Sequence, residues 1–382
     1  MDVTVTPFNP APGEARKPSP GCVEPWTVEP FLHWGDGKVY NPLTDRTLAH
    51  DDAGFAALEA LSSGTTTAEE LAVSMRQTLY AAAWLVRGDA GQPELARRFW
   101  LKYVSLETHT VCNQSCFFCP VAYDPRKAYF MPTKLFERVV GEIAAYRDQL
   151  EGVWLMNYNE PTVDRRFVDQ CRTLLAAGLK VGVNTNGSGL TPAKVDALVE
   201  AGPLRFLSIN LSTLDREKYR RDRGQDQLDQ VLHNLDYAKD LPVAEEMVVM
   251  VLGTGDERHD AEAAAARERF AGSRFEISTG RIMDRAGHLD VGIKPVQGNP
   301  PLCGCDNVGS RPLQHLHITP HGKCVLCCED YDEKYVVGNL NESTVEEVLT
   351  GDRIATLRRW IYGLEDSPDD FICKGCIFAR TG

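Results

Sequence analysis

The chain has 382 residues, 43% hydrophobic and 25% charged, enough to bury an ordinary core and to build two or three domains. Lysine and arginine total 41 against 54 acidic residues, and the net charge of −13 opposes any sequence-independent hold on a phosphate backbone or an anionic bilayer. Nucleic acid and membrane are therefore set aside as partners. With no apolar run of roughly 18 residues and no signal core at the N-terminus, the expected location is cytoplasmic.

Residues 1–30 carry seven prolines and no helical or strand period, which predicts an extended or disordered leader. Residues 31–95 read as a small module, with a strand pair around 38–48 and helices near 52–62, 67–75 and 77–86. Thr66 or Thr67 is the N-cap of the second helix. Residues 31–90 hold four basic and eight acidic residues, which argues against a DNA-binding role for this module.

From about residue 99 apolar strands alternate with amphipathic helices, the pattern of a parallel sheet with crossover helices. Strands are expected at 101–107, 153–157, 180–184, 205–211, 246–251 and 274–278. Helices are expected near 133–147, 165–177, 192–201, 227–239 and 259–270. Six such units in residues 99–290 are too few for an eight-fold barrel, so the expected fold is a partial, open (β/α)6 barrel with active residues at the C-terminal strand ends. Residues 291–382 read as a hairpin turning at His321-Gly322, a helix near 343–360 and a terminal C-x2-C. This segment has too few apolar residues for a core of its own, and metal is expected to hold it together.

The twelve cysteines are unevenly spread. Cys112, Cys116 and Cys119 form one group; Cys303, Cys305, Cys324, Cys327, Cys328, Cys373 and Cys376 form another; Cys22 and Cys171 stand alone. In a reducing compartment such clustering points to metal or redox chemistry and not to disulfides. The stretch "VCNQSCFFCP" spaces its thiols C-x3-C-x2-C just past the first barrel strand. A short loop of this kind can reach three irons of a cubane and leave the fourth open, as catalytic metal sites do. Structural zinc is the alternative, with His109 as its fourth ligand.

The triplet, the aromatic before its third cysteine and its place after the first strand resemble the radical S-adenosylmethionine (radical SAM) superfamily. The resemblance makes Cys112, Cys116 and Cys119 ligands of a 4Fe-4S cluster whose open iron binds S-adenosylmethionine, and implies a 5′-deoxyadenosyl radical that abstracts a substrate hydrogen. It places Phe118 against the adenine. In "NYNEP" it matches Glu160 and Pro161 to a Gly-Gly-Glu-Pro motif that receives the methionyl amine, with Tyr158 and Asn159 in the glycine positions. In "NTNG" it gives Asn186 to the ribose, and it pairs Ser208 with Arg223 on the methionyl carboxylate.

The second group, "GKCVLCCEDY" followed by a helix and "CKGC", is similar to the SPASM or shorter twitch extension of these enzymes. That resemblance implies one auxiliary 4Fe-4S cluster on Cys305, Cys327, Cys373 and Cys376, with Cys303 as the alternative to Cys305. Of the remainder, Cys328 or Cys324 is a candidate hydrogen donor, spare buried thiols being the other reading. Zinc competes here too, because zinc ribbons also pair C-x2-C knuckles.

The N-terminal module resembles the winged-helix-like leader-peptide recognition elements of peptide-modifying clusters, which bind an extended peptide along a strand edge. Two enzyme functions remain open: maturation of a ribosomally made peptide, and dehydrogenation or epimerisation of a sugar, aminocyclitol or other small metabolite. Both imply a peptide or small-molecule substrate and an electron donor such as flavodoxin or ferredoxin. A zinc-stabilised binding protein without catalysis is the third reading.

Overall fold

The structure is a computed structural model and describes residues 24–292 and 300–382. Most of the expected leader, residues 1–23, lies outside that range. Its last residues form strand β1 (Trp26–Val28). A three-stranded antiparallel meander follows, β2 (His33–Gly35), β3 (Lys38–Asn41) and β4 (Arg46–Ala49), then helix α1 (Ala53–Ser62), helix α2 (Val73–Ala81) and β5 (Leu85–Arg87), which pairs with β1.

Two of the three expected helices are thus replaced by one. Glu70 accepts from Thr66 Oγ1 and the Thr67 N–H, but this capping arrangement closes only a single turn. After α2, Ala83 turns left-handed (φ 59°) and the chain runs out into β5.

The six barrel strands are β6 (Tyr103–Leu106), β7 (Gly152–Trp154), β8 (Val181–Thr185), β9 (Leu204–Asn210), β10 (Ala244–Gly253) and β11 (Phe275–Arg281), all parallel and in sequential order. Between them run α3 (Thr133–Ile143), α4 (Phe167–Ala176), α5 (Pro192–Ala201), α6 (Arg216–Arg223), α7 (Leu228–Ala238) and α8 (Glu257–Arg269). Helix α6, "REKYRRDR", is missing from the expected set because it lacks an apolar stripe. Its Asp215 N-cap and left-handed Gly224 define it instead. On α3, Leu135, Phe136, Val139, Val140 and Ile143 are buried against the sheet, each contributing about 1.5–3 kcal/mol.

The C-terminal segment comprises β12 (Leu302–Cys305), α9 (Arg311–Gln314), β13 (His315–Ile318), β14 (Lys323–Val325), β15 (Val336–Asn339), α10 (Val345–Thr350), α11 (Asp352–Ile361) and β16 (Ala379–Thr381). The expected single helix at 343–360 is broken at Gly351, whose backbone is extended. Strand β13 lies parallel to β6, with His317 beside Ser105, so the hairpin β13–β14 and β15 prolong the barrel sheet to nine strands.

Two expectations about this segment need correction. It has an apolar core: Leu302, Leu313, Leu326, Ile354 and Phe371 cluster with Phe31 and Leu43 of the N-terminal module. Nor is metal alone available to hold it, since the fully buried Arg358 also donates to the carbonyls of Pro312, Ala96 and Leu349. No helix among the described residues is long and apolar enough to cross a membrane.

Candidate active site between two cysteine groups

Strand β6 alternates. Val104 and Leu106 belong to the core beneath the helices, which turns Tyr103, Ser105 and, just past the strand, Glu107 toward the concave inner face. The cysteine loop follows at the C-terminal end of this strand. Its Ser115 N–H donates to the Arg223 carbonyl (3.0 Å) and its Phe117 N–H to that of Asp222 (3.1 Å), which pins it to the end of α6. Gly224 is left-handed there (φ 65°), and a Cβ on it would come within 2.1 Å of Ser115 Oγ.

The three thiols act on one another. Burial pushes Cys112 up to about 12, and the neighbouring Cys116 and Cys119 push in the same direction; Cys119 is likewise raised by burial and by Cys116. Thiols of this kind stay protonated until a cation supplies the charge that water does not, and a soft iron site is one that thiolates satisfy. Among the described residues no three His, Cys, Asp or Glu side chains converge on a single-ion site. A cubane spreads its thiolates over several irons, so its ligands need no such common point.

The structure redistributes the roles expected around this loop. Arg223, 2% exposed, donates to Asn210 O (2.8 Å), Asn210 Oδ1 (2.7 Å) and Ser212 Oγ (2.7 Å), not to Ser208. Its Nη1 lies 3.7 Å from Cys116 Sγ and its guanidinium 5.1 Å from the Phe118 ring centre. Its Nε is buried with no partner. Ser208 sits buried on β9 opposite Asn184, and the side chains that hold Arg223 are Asn210 and Ser212.

Glu160 is also braced within the protein. Its Oε1 accepts from Thr162 N (3.1 Å), Thr162 Oγ1 (2.5 Å) and Thr185 Oγ1 (2.6 Å), and its Oε2 from Asn186 N (2.7 Å). Three of these donors crowd Oε1 and one reaches Oε2, so Glu160 ties the ends of β7 and β8 together and keeps a lone pair on Oε2 for a ligand. Asn186 in turn donates to Asn113 Oδ1 (2.9 Å), joining that turn to the cysteine loop.

The radical SAM superfamily profile matches residues 106–267, and SPASM, an iron-sulfur cluster-binding domain, matches residues 305–377. The chain belongs to the radical SAM superfamily. A probable GTP 3′,8-cyclase of Pyrococcus abyssi is 32% identical over 177 residues, 46% of this chain and 56% of that protein. The chain thus spans about half the length of that relative. A S-adenosyl-L-methionine-dependent 2-deoxy-scyllo-inosamine dehydrogenase of Niallia circulans is 20% identical over 278 residues, 72% of this chain and 91% of that protein. Among solved structures, Streptococcus suis SuiB bound to precursor peptide SuiA shares the fold with a TM-score of 0.56 at 14% identity, covering 92% of this chain and 91% of that one. The cofactors of this radical SAM chain are a 4Fe-4S cluster, S-adenosylmethionine and an auxiliary cluster in the SPASM domain.

In the SPASM domain the structure brings Cys305, Cys327, Cys373 and Cys376 together. Cys373 is raised well above the usual thiol range by burial and by Cys305 and Cys376; Cys327 is raised by burial, by Cys328 and by Cys373. Cys324 is a correction: fully buried in the barrel core beside Glu142, it is raised by burial and faces no part of the candidate site, so it cannot serve as a hydrogen donor. Cys328 has its Sγ 3.5 Å from Glu329 Oε1 and also acts on Cys327 and Cys376.

Between the two cysteine groups lies a polar cluster that the sequence reading missed. Glu107, fully buried, accepts from Arg126 Nη2 (2.5 Å) and from the Tyr158 N–H (3.0 Å). The Tyr158 ring lies 5.6 Å from the Arg126 guanidinium and 5.8 Å from that of Arg285, and its hydroxyl donates to the Cys328 carbonyl. Arg285 is held 3.4 Å from Glu329 by a turn in which Arg285 and Ala286 are both left-handed (φ 54° each). Two such non-glycine residues cost roughly 1–3 kcal/mol each, which surrounding contacts must offset. Glu107 was legible in the polar alternation Tyr103, Ser105, Glu107, and Tyr158 in the departure from glycine. Nothing in the sequence marked Arg285.

Proposed function

We propose that this chain modifies a ribosomally made peptide by radical SAM chemistry, with Cys112, Cys116 and Cys119 holding the S-adenosylmethionine-binding cluster and Cys305, Cys327, Cys373 and Cys376 the auxiliary one. The observation that carries the peptide reading is the open edge of β4. The sheet order β2-β3-β4 leaves that strand unpaired on one side, and beside it runs a groove of about 450 Å³ lined by Leu48, Met75, Leu79 and Trp84. The Ala49 N–H turns outward to Asp52 (2.7 Å), so by strand alternation the Thr47 N–H also faces away from the meander. An extended peptide added there would gain main-chain hydrogen bonds, with the groove taking alternate side chains. A peptide complex of SuiB, whose fold matches over 92% of this chain, supports the same reading.

When bound, the cluster and S-adenosylmethionine supply a reductively generated 5′-deoxyadenosyl radical, fed by a one-electron donor such as flavodoxin or ferredoxin. The protein's share is placement. Arg223 offers its free Nε–H and positive charge for the methionyl carboxylate, Phe118 a face for the adenine, and Asn113 with Asn186 a polar turn at the ribose. Tyr158, Arg126 and Arg285 close the inner face between the cysteine groups to water.

The test uses the full chain, reconstituted anaerobically, with the peptide encoded beside its gene. A mass change in the peptide that disappears in the C112A/C116A/C119A variant is expected, and T47P should lower peptide affinity without changing iron content. Peptide left unmodified while added 2-deoxy-scyllo-inosamine is oxidised would establish the second reading, a metabolite dehydrogenase, which the Niallia circulans relative favours.

A further inference from the structure

The segment that leaves the cysteine loop doubles back along the chain that enters it. The Thr110 N–H donates to the Tyr129 carbonyl (3.0 Å), the Met131 N–H to that of Thr108 (2.8 Å), and Thr110 Oγ1 to that of Lys127 (2.8 Å). Phe130 and His109 form an antiparallel bridge, and their rings stack 5.2 Å apart. Residues 127–131 are thus fixed against the last residues before Cys112, the first thiol of the candidate cluster site. The Phe130 ring is nevertheless 46% exposed.

A cavity of about 380 Å³ joins this ring to Val163, Asp164, Arg165 and Arg166, in the stretch between β7 and α4. Arg166 is committed within the fold: it lies 2.8 Å from Asp164 and donates to the Met131 carbonyl (2.9 Å). Arg126 is likewise paired with Glu107. Arg165 and, close to Phe130 along the chain, Lys127 and Lys134 are exposed and make no ion pair among the described residues. Residues 125–134 contain no acidic side chain, in a chain whose net charge is −13. An acidic protein is repelled by such a chain as a whole and attracted to a face of free cations.

We propose that Phe130, Lys127, Lys134 and Arg165 form the docking face for the electron donor, a small acidic one-electron carrier protein. The inference rests on the reading that Cys112, Cys116 and Cys119 hold the cluster which that donor reduces. An apolar ring set among free cations suits such a partner: the charges steer and orient the encounter, and the ring loses its water only on contact. A carrier must also leave after each electron, and a small face with one aromatic anchor gives a transient complex. The step is the passage of one electron from the reduced carrier to the oxidised cluster, with no bond made or broken and no proton moved.

The test measures binding of flavodoxin to the reconstituted full chain by calorimetry at low and high salt. Wild-type affinity should fall by about tenfold or more as salt rises from ~20 to ~300 mM. K127E/R165E alters only exposed side chains without ion-pair partners, and should weaken low-salt binding at least about tenfold while flattening the salt dependence. F130A should weaken binding with the salt dependence retained. In both variants iron content and dithionite-driven 5′-deoxyadenosine formation should match wild type, whereas the flavodoxin-driven rate should fall. Unchanged flavodoxin affinity in K127E/R165E overturns the inference, and so does a loss of peptide affinity in its place, which would assign the face to the substrate. A wild-type chain that binds neither flavodoxin nor an acidic ferredoxin overturns it as well. Failure of dithionite itself to yield 5′-deoxyadenosine in wild type overturns the functional reading instead.

Discussion

The hydroxyl of Tyr158 donates to the backbone carbonyl of Cys328, linking the loop after the second barrel strand to the residue beside a candidate auxiliary ligand. Both residues are buried, and the ring is also flanked by Tyr331, edge-on at 4.7 Å. Y158F leaves that carbonyl without its donor and is expected to cost about 1–3 kcal/mol in urea unfolding of the cluster-free chain. Y158G, which restores the glycine usual at this position, removes the ring as well and should cost about 3–5 kcal/mol. Equal stabilities of wild type and Y158F would mean that this link carries no load.

Arg223 is expected to carry S-adenosylmethionine affinity. Hydrogen bonds to charged groups are worth about 1.5–3 kcal/mol, so R223Q should weaken the cofactor's binding by roughly 10- to 100-fold in calorimetry with the iron content intact. S208A should leave affinity within about twofold, because Ser208 is no partner of Arg223. A large loss in S208A and none in R223Q would reverse these assignments.

Iron analysis distinguishes the cysteines. Wild type is expected to hold about eight irons, and replacement of Cys305, Cys327, Cys373 or Cys376 by Ala should reduce this to about four. C303A should keep all of them. C324A should too, losing only stability, on the order of 1 kcal/mol, because it deletes a buried core atom. C328A tests the remaining hydrogen-donor candidate: iron and 5′-deoxyadenosine formation should persist while the product changes.

Acid should loosen the seam between the N-terminal module and the SPASM domain. His33 is held down to about 4 by burial first and by Arg380 second, with Asp306 opposing, and its Nε2 lies 2.8 Å from the Tyr362 hydroxyl. A depressed value means that the folded chain prefers the neutral ring. The stability this provides is present above the usual imidazole value near 6.5 and is lost as pH falls toward 4, on the order of 3 kcal/mol in all. Thermal melts between pH 7 and 4 should show that loss in wild type, and H33Q should flatten it. An identical pH slope in both proteins would assign the acid limb to other groups.

The resemblance of the two cysteine groups supplied the two clusters, and the local pattern of the chain was enough for the alternating strands and helices and for the cysteine loop at a strand end. Those features follow from periodicity and spacing, which nearest neighbours along the chain largely settle. α6 escaped because caps and not an apolar stripe define it, while the helix expected at 67–75 stops at the single turn that Glu70 caps and left-handed Ala83 follows the early end of α2.

What only the tertiary structure decided is which distant groups meet. The parallel pairing of β13 with β6 brings His317 beside Ser105 across 212 positions of sequence. The hydrogen bonds to Glu160 come from Thr162, Thr185 and Asn186, so a residue that looks like a ligand-binding acid by motif is also a brace by geometry. Burial has the same non-local origin: whether a thiol, an imidazole or a guanidinium keeps its charge depends on every element packed around it, and no stretch of sequence contains that enclosure.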